Sequence, residues 1–417
     1  MKINQLKPLI LALSLSLVFA GCDNNANMTE QKPETEQSDQ VEETTKVEEE
    51  TNSEENTEKN SEEAEDEKAD SKDKKENSTS LKDGTYKASA NGYDRELNLE
   101  VTIADGKISD IQLLENHETD AVINRAFPII KERIIKANSP DVDSVSAATY
   151  STTAVKQATL TALEEAGLEK VSIKVTNSTG YEEDRELSEA EDKTTDLLVI
   201  GAGPAGLSSA IQAKQDGVEN VTVIEKMDIL SGNGKFDMNF FDMANSEAMK
   251  ANNNEVTKEE YKENYLEKSW DSEERIDAVT AGAFEIDSWL RDQGIELDYN
   301  FGEDGSMNHM AKEDEYAGDY IQTKLEKIAN DLGVEIIPGT KATDLIIEDG
   351  KATGAIVEDK ENTYNINATS TVIATGGFSN NPDLLAEYIP GAEEIPTSNQ
   401  MGATGDFVEI AKNHNIK

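Results

Sequence analysis

Six residues, Gly201-Ala202-Gly203-Pro204-Ala205-Gly206, constrain the fold of this 417-residue chain more than any others. Before them stands Asp196-Leu197-Leu198-Val199-Ile200, an apolar run of the length of a buried parallel strand. After them Leu207, Ala210 and Ile211 recur at helical spacing as far as Gly217, and a second apolar run, Val221 to Ile224, ends in Glu225. Strand, glycine-rich turn, helix and second strand closed by an acid form the pattern that cradles a dinucleotide. The glycines permit a tight turn and close approach to a pyrophosphate, the helix N-terminus faces the phosphates, and the Glu225 carboxylate can accept from a ribose hydroxyl. The pattern predicts a Rossmann-like α/β domain over residues 194–417. A glycine-rich turn with no ligand is the alternative.

A smaller unit, residues 81–170, precedes it across a charged linker, 171–193. Alternation in Leu97-Asn98-Leu99-Glu100-Val101-Thr102-Ile103, an Asp105-Gly106 turn and the run Ile108 to Leu114 predict a β-hairpin. Ala126, Ile129, Ile130 and Ile134 predict a helix from Ala121 to Ala137, and a second helix is expected from Thr153 to Ala166, closed by Gly167. Between them lies Asp143-Ser144-Val145-Ser146-Ala147-Ala148-Thr149, a loop whose following Ser151 or Thr152 could cap the second helix.

The formal charge of −47 is unevenly spread. Residues 22–80 are mostly Glu, Asp, Asn, Ser, Thr and Lys, a composition that cannot bury enough apolar surface to offset chain entropy. A disordered acidic tether is expected there. The moderately acidic remainder repels phosphates and shows no basic patch, which excludes nucleic acid as a partner. A single cysteine, Cys22, excludes an internal disulfide and cysteine-based zinc or iron–sulfur sites. Three histidines, His117, His309 and His414, have no metal-ligand spacing, so no metal site is expected. His309 and His414 are expected to be surface or packing residues.

Residues 1–21 begin with Lys2 and Lys7, continue through an apolar run from Pro8 to Ala20, and are shaped like an export signal rather than a spanning helix. Val18-Phe19-Ala20-Gly21-Cys22 resembles the lipobox of bacterial lipoproteins. That resemblance implies diacylglycerol on Cys22 and a lipid-anchored protein on the extracytoplasmic face of the cell membrane, two acyl chains being enough for a stable anchor. An ordinary signal cleaved elsewhere would leave a free thiol. A tether of about 58 flexible residues would reach roughly 40 Å or more from the membrane.

The hairpin, the helix containing Pro128 and the 143–149 segment together resemble the FMN-binding domain of sodium-pumping quinone reductase subunits and extracellular flavoproteins. In that family a flavin transferase recognises Asp-x-x-Ser/Thr-Gly-Ala-Thr/Ser and joins the FMN phosphate to the last hydroxyl as a phosphoester. The resemblance implies an α+β FMN-binding domain, Asp143 and Ser146 as recognition residues, and covalent FMN on Thr149. Ala147 stands where the family carries glycine, and a left-handed backbone there would cost about 1 kcal/mol.

Ser231-Gly232-Asn233-Gly234-Lys235, Ala374-Thr375-Gly376-Gly377-Phe378 after the apolar Val372-Ile373, and Gly402-Ala403-Thr404-Gly405-Asp406 at a helix start resemble the fumarate reductase flavoprotein family. Within it the resemblance is to soluble or extracellular fumarate and urocanate reductases, some of which carry this FMN domain in front. The resemblance implies FAD, held by Ala205, Glu225, Asn233, Gly234, Ala342, Thr375, Gly376, Gly377 and Asp406 beside Gly201, Gly203 and Gly206. It further implies electrons passing from a membrane or extracellular donor through FMN and FAD to the double bond of a small unsaturated carboxylate. The family's catalytic arginine and histidines lie past the point matching Lys417, and the last arginine here is Arg291. The FAD domain is therefore expected to be an N-terminal part without its capping domain, its catalytic residues outside this sequence. Two other readings stay open. One is a non-catalytic FMN electron-carrier lipoprotein with a vestigial FAD segment; the other is a flavin-dependent oxidase of the aspartate-oxidase kind.

Overall fold

The structure, a computed structural model, describes residues 81–169, 175–182, 185–230, 232–236, 243–268, 271–301, 307–311 and 316–416. The export signal, Cys22, the acidic tether and Ser231 lie outside the described residues.

The first domain is a three-stranded antiparallel sheet, β1 (Gly84–Asn91), β2 (Glu96–Ala104) and β3 (Lys107–Leu113), in the order β1-β2-β3. Alternation in β2 turns Leu97, Leu99, Val101 and Ile103 to one face, where none is more than 2% exposed. The expected hairpin is β2–β3, and its turn has positive φ at both Asp105 (53°) and Gly106 (69°), the twist that a tight hairpin requires. Two helices cover the apolar face. Helix α1 (Asp120–Ala137) matches its expected span. Pro128 interrupts its ladder, but Pro128 and Asn124, whose carbonyl loses its donor, are both exposed, so water can satisfy that group. The helix ends at Asn138 (φ 51°), whose side-chain Oδ1 accepts from Ile108 N–H at 2.9 Å and ties the cap to β3.

Helix α2 (Thr149–Glu165) corrects the expectation of a start at Thr153. Ala147 turns left-handed (φ 67°), and the carbonyl of Ala148 then accepts from Thr152 N–H at 2.9 Å, so the helix begins four residues early. Neither Ser151 nor Thr152 is the cap. The Thr152 hydroxyl sits inside the first turn, donating to the Ala148 carbonyl at 2.8 Å and accepting from Val145 N–H at 3.1 Å.

The second domain is built on β4 (Lys193–Ile200), α3 (Pro204–Gln215), β5 (Val221–Glu225), α4 (Glu247–Ala251), α5 (Lys258–Lys268) and α6 (Glu273–Asp292). It continues through the hairpin β6 (Asp298–Phe301) and β7 (Met307–Met310), α7 (Ala317–Asp331), β8 (Glu335–Pro338), β9 (Lys341–Glu348), β10 (Lys351–Glu358) and β11 (Asn362–Ile373). Helices α8 (Pro382–Tyr388) and α9 (Asp406–Asn413) follow. The main sheet runs β9-β10-β11-β4-β5-β8, and the two-residue strand Ser188–Glu189 pairs with β11. Strands β11, β4, β5 and β8 are parallel, whereas β9, β10 and β11 form an antiparallel meander. Ile366 and Val372-Ile373 belong to the single strand β11. Strand β4 is apolar throughout its second half because both faces are covered. Leu197 and Val199 meet Leu207 and Ile211 of α3, Leu290 of α6 and Leu325 of α7, while Leu198 and Ile200 meet Leu345, Val357, Ile366 and Ile410 of α9. Among the described residues, no helix is long and apolar enough to cross a membrane.

Candidate functional site

At the carboxyl end of β4 the backbone is packed so closely that side chains are excluded. Gly201 has φ 107°, and a Cβ there would lie 2.3 Å from the Ala374 carbonyl oxygen. A Cβ on Gly206 would lie 1.9 Å from the Gly201 carbonyl oxygen, and one on Gly234 would lie 2.3 Å from Pro204 Cγ. Gly203 caps α3 without any side-chain hydrogen bond, and Pro204 occupies the first turn. The first amides of α3 are thus left to an anion, and the positive end of the helix dipole points the same way. Gln322 of α7 steadies the turn by donating to the Ala202 carbonyl at 3.1 Å.

Glu225, 8% exposed at the end of β5, accepts from Ala202 N–H and Met227 N–H, both at 3.0 Å. Each carboxylate oxygen keeps a further lone pair for an incoming hydroxyl. Across the turn, Ala374 N–H donates to the Ile200 carbonyl at 2.8 Å and sets Thr375-Gly376-Gly377 against Gly201. Gly376 is left-handed (φ 73°), and among the described residues no atom beyond the chain neighbours lies within 4 Å of where a Cβ would stand on it or on Gly377. Packing explains Gly201 and Gly206. It does not explain Gly377, which borders open space.

The structure thus brings Gly201, Gly203, Ala205, Gly206, Glu225, Gly234 and Thr375 together around one turn. Two other expected residues have protein partners. Asn233 accepts from Gln400 N–H at 2.8 Å and donates to Asn399 Oδ1 at 2.5 Å. Asp406, at the start of α9, meets Lys226 Nζ at 2.5 Å and Lys341 Nζ at 3.2 Å. Burial of Asp406 raises its pKa, but the two ammonium groups outweigh that and hold it below the ordinary carboxylate range. Ala342, 9% exposed, follows Lys341 on β9.

Lys226 and Lys235 were not singled out by their sequence context as charges of the site. Lys235, 1% exposed, has its pKa brought down to about 8, first by burial and then by the charge of Arg125. Two of the three histidines have structural partners: His309 is buried with Nε2 2.9 Å from Ser246 Oγ, and His414 Nε2 lies 2.7 Å from Asp344 Oδ1. Their positions, in strand β7 and at the end of α9, are those of packing and surface residues.

A second arrangement surrounds the start of α2. The Thr149 Oγ1 is buried and, among the described residues, has no hydrogen-bond partner. Ala147 occupies a left-handed position, the conformation for which a glycine would be suited. Asp143 meets Lys360 Nζ at 3.1 Å, and Ser146 exchanges two hydrogen bonds with Asp228. Beside Thr149, the 68%-exposed rings of Tyr93 and Tyr150 lie 6.3 Å apart. Beneath them the buried Glu118 accepts from Tyr93 N–H at 2.8 Å and from the Ser151 hydroxyl. Lys156, fully buried on α2, donates to Ser144 Oγ at 3.1 Å and to the Thr176 carbonyl at 2.6 Å, and its burial lowers its pKa.

The first arrangement fits a flavin dinucleotide, and the second presents a hydroxyl suited to a phosphoester. Gly201, Gly206 and the uncapped start of α3 form a cradle for a pyrophosphate, and the gap beside Gly377 admits a ligand. A buried hydroxyl without a partner costs about 1–3 kcal/mol. A phosphoester at Thr149 Oγ1 would remove that cost, because the ester oxygen carries no proton to satisfy.

Comparison with known proteins gives the same order of modules. Residues 196–417 match the family model described as FAD binding domain, and residues 92–164 match the FMN-binding domain. An NADH:fumarate oxidoreductase of Klebsiella pneumoniae is 26% identical over 337 residues, covering 79% of this chain and 35% of that protein. A urocanate reductase of Eggerthella lenta is 27% identical over 352 residues, 78% of this chain and 55% of that protein. Among solved structures, the open conformation of a flavocytochrome c3 fumarate reductase is 27% identical, covers 53% of this chain and 40% of that one, and has a TM-score of 0.49. The chain spans between about a third and about half of the length of these curated relatives.

Proposed function

Since the chain belongs to the FAD binding domain family of flavin-dependent oxidoreductases and carries an FMN-binding domain ahead of it, we propose a cell-surface reductase. It passes electrons from FMN, esterified to Thr149, through FAD to the double bond of a small unsaturated carboxylate. The unpartnered, buried Oγ1 of Thr149 is the observation that carries this reading. Fumarate and urocanate are the compounds named for the relatives, and they share a carbon–carbon double bond conjugated to a carboxylate.

The bound flavins supply the electron and hydride transfer. The chain's own residues bind and orient them. The amides at the start of α3 would receive the pyrophosphate, Glu225 would accept from the ribose, and Thr375 to Gly377 would line the opposite wall. Lys226 and Lys341 hold Asp406 at the edge of that cradle. The anchor is Cys22, the tether is the acidic segment, and a flavin transferase modifies Thr149 on the extracytoplasmic face. Reducing equivalents come from a membrane or extracellular donor.

A carboxylate substrate is well held by the planar fork of arginine. Each of the six arginines already meets an acid: Arg95 with Asp94, Arg125 with Asp319, Arg133 with Asp228, Arg185 with Glu358, Arg275 with Asp271 and Arg291 with Asp287. The substrate grip is not built from these residues. A second reading is an electron carrier that uses FMN alone.

One preparation tests both. The chain made with a flavin transferase is denatured, washed and weighed by mass spectrometry, beside Thr149→Ala. One FMN unit is expected on the wild type and none on the variant. An equal flavin content in the two would remove Thr149 as the attachment residue. Native protein loaded with FAD is then given reduced dye with fumarate or urocanate. Substrate-dependent dye oxidation supports the reductase, whereas a reducible FMN without turnover supports the carrier.

A further inference from the structure

The segment that a flavin transferase has to read is held inside the contact between the two domains. Ser146 is 6% exposed; its N–H donates to Asp228 Oδ2 at 2.8 Å, and its hydroxyl accepts from Asp228 N–H at 2.6 Å. Arg133 holds the other oxygen of Asp228 at 3.0 Å and also donates to the carbonyls of Asp143, at 3.2 Å, and Ser144, at 2.9 Å. Tyr181 donates its hydroxyl to the same Asp228 oxygen at 3.1 Å. On the other flank, Lys360, between β10 and β11, meets the Asp143 carboxylate at 3.1 Å. Gly180 closes over that carboxylate so tightly that a Cβ would lie 2.5 Å from Asp143 Oδ2.

The cover comes from the FAD-binding domain. Asp228 follows Glu225, at the end of β5, by three residues. Ile229, the next residue, is 3% exposed within the apolar core of the FMN-binding domain, among Leu97, Leu99, Ile130 and Val155. A second contact pins the domains farther away, where Arg125 of α1 meets Asp319 and donates to Thr323 Oγ1 at 2.9 Å on α7.

We infer that domain contact closes the modification site, so that flavin is transferred to Thr149 only while the FAD-binding domain is lifted off the 143–149 segment. This inference rests on Thr149 being the attachment residue. The transfer itself balances simply. Thr149 Oγ forms a bond to the flavin-side phosphorus of a flavin dinucleotide, the bond from that phosphorus to the bridging oxygen breaks, and AMP leaves with the electron pair. The hydroxyl proton goes to a base of the transferase. An enzyme performing this displacement has to surround the hydroxyl and reach Asp143 and Ser146. In the closed arrangement all three are engaged or buried: Asp143 by Lys360, Ser146 by Asp228, and Thr149 Oγ1 within the protein.

The test uses the full chain with Cys22→Ser, made without transferase and then given purified transferase, FAD and magnesium. Covalent flavin is read as fluorescence after denaturation and confirmed by mass. Asp228→Ala combined with Lys360→Ala, which frees the segment, is expected to label at least threefold faster than its parent. A parent carrying Arg125→Cys and Thr323→Cys, joined by a short reductant-cleavable bismaleimide, is expected to label at least tenfold slower until the linker is cut. The linked form keeps the recognition segment unaltered, so slow labelling that recovers on cleavage cannot come from misfolding. Equal rates in the parent, freed and linked proteins would overturn the inference while leaving Thr149 as the attachment residue. Absence of label from every one of them would instead overturn the attachment reading, and this inference with it.

Discussion

Alanine at Gly201 and alanine at Gly377 separate glycines needed by the protein from glycines needed by its ligand. At Gly201 the backbone is left-handed, which costs an alanine about 1–2 kcal/mol. Its Cβ would also lie 2.3 Å from the Ala374 oxygen and 2.8 Å from the Ala374 carbonyl carbon, both backbone atoms that cannot swing aside. Overpacking of that kind costs about 1–3 kcal/mol. Together the two effects amount to roughly 3 kcal/mol, a large share of the 5–15 kcal/mol that typically holds a fold together. With a urea dependence of about 3 kcal/mol per molar, Gly201→Ala is expected to move the unfolding midpoint down by about 1 M. At Gly377, among the described residues, no atom beyond the chain neighbours stands within 4 Å of the new methyl, and φ is not left-handed. Gly377→Ala is therefore expected to leave apo stability within about 0.5 kcal/mol of the parent. If FAD fills the space there, its affinity falls at least about tenfold, or 1.4 kcal/mol. Urea titration followed by the fluorescence of the buried Trp289, and a separate FAD titration, read the two effects independently. A Gly377→Ala protein that binds FAD as tightly as the parent would show that the Thr-Gly-Gly loop is not a cofactor wall. An unchanged midpoint for Gly201→Ala would show that β4 does not end packed against Ala374.

Ala147→Gly is expected to stabilise the first domain by about 1 kcal/mol, because φ 67° is strained for alanine and free for glycine; a melting temperature that stays level or falls would contradict that turn. Lys235 has a folded pKa of about 8 against an ordinary 10.5, so between those values the native state holds fewer protons than the unfolded chain and stability rises with pH. The rise is roughly 3 kcal/mol at about 1.4 kcal/mol per pKa unit, and Lys235→Met is expected to abolish it. Urea curves for the two proteins at pH 8 and pH 10 supply the comparison, and parallel behaviour would refute the burial of the amine. Asp406 has the opposite sign: its folded pKa lies below its ordinary 3.8, so its contribution is present above that value and lost as pH falls through the lowered one. Asp406→Asn is expected to flatten the acid limb of stability between pH 5 and the midpoint of acid unfolding, and an unaltered limb would count against the pairing with Lys226 and Lys341.

The elements that were legible in advance are those specified by short-range patterns. Alternating Leu97, Leu99, Val101 and Ile103 predicted β2, and Asp105-Gly106 predicted its turn, because side-chain period and backbone torsion are local properties. The parallel core of the second domain was equally plain: the apolar half of β4, Leu197 to Ile200, the glycine turn and Glu225 lie within 30 consecutive residues. The start of α2 was misplaced because the two candidate caps, Ser151 and Thr152, pointed to a helix from Thr153, whereas the left-handed turn at Ala147 starts it at Thr149. Gly376 and Gly377 could be recognised as a motif, but the open space beside them could not.

The amino-acid order alone therefore determined two flavin-type modules, their sequence along the chain, the glycines of the cradle and the hydroxyl at Thr149. Only the tertiary structure decided what those groups touch. Ser146 meets Asp228, 82 residues away, and Asp143 meets Lys360, 217 residues away. Nothing in either neighbourhood encodes such a pair. Its members are ordinary polar residues whose partners are set when Ile229 enters the core of the other domain and the chain between them closes. Local torsion and periodicity are written into adjacent residues, whereas the pairing of buried polar groups follows from the packing of distant ones.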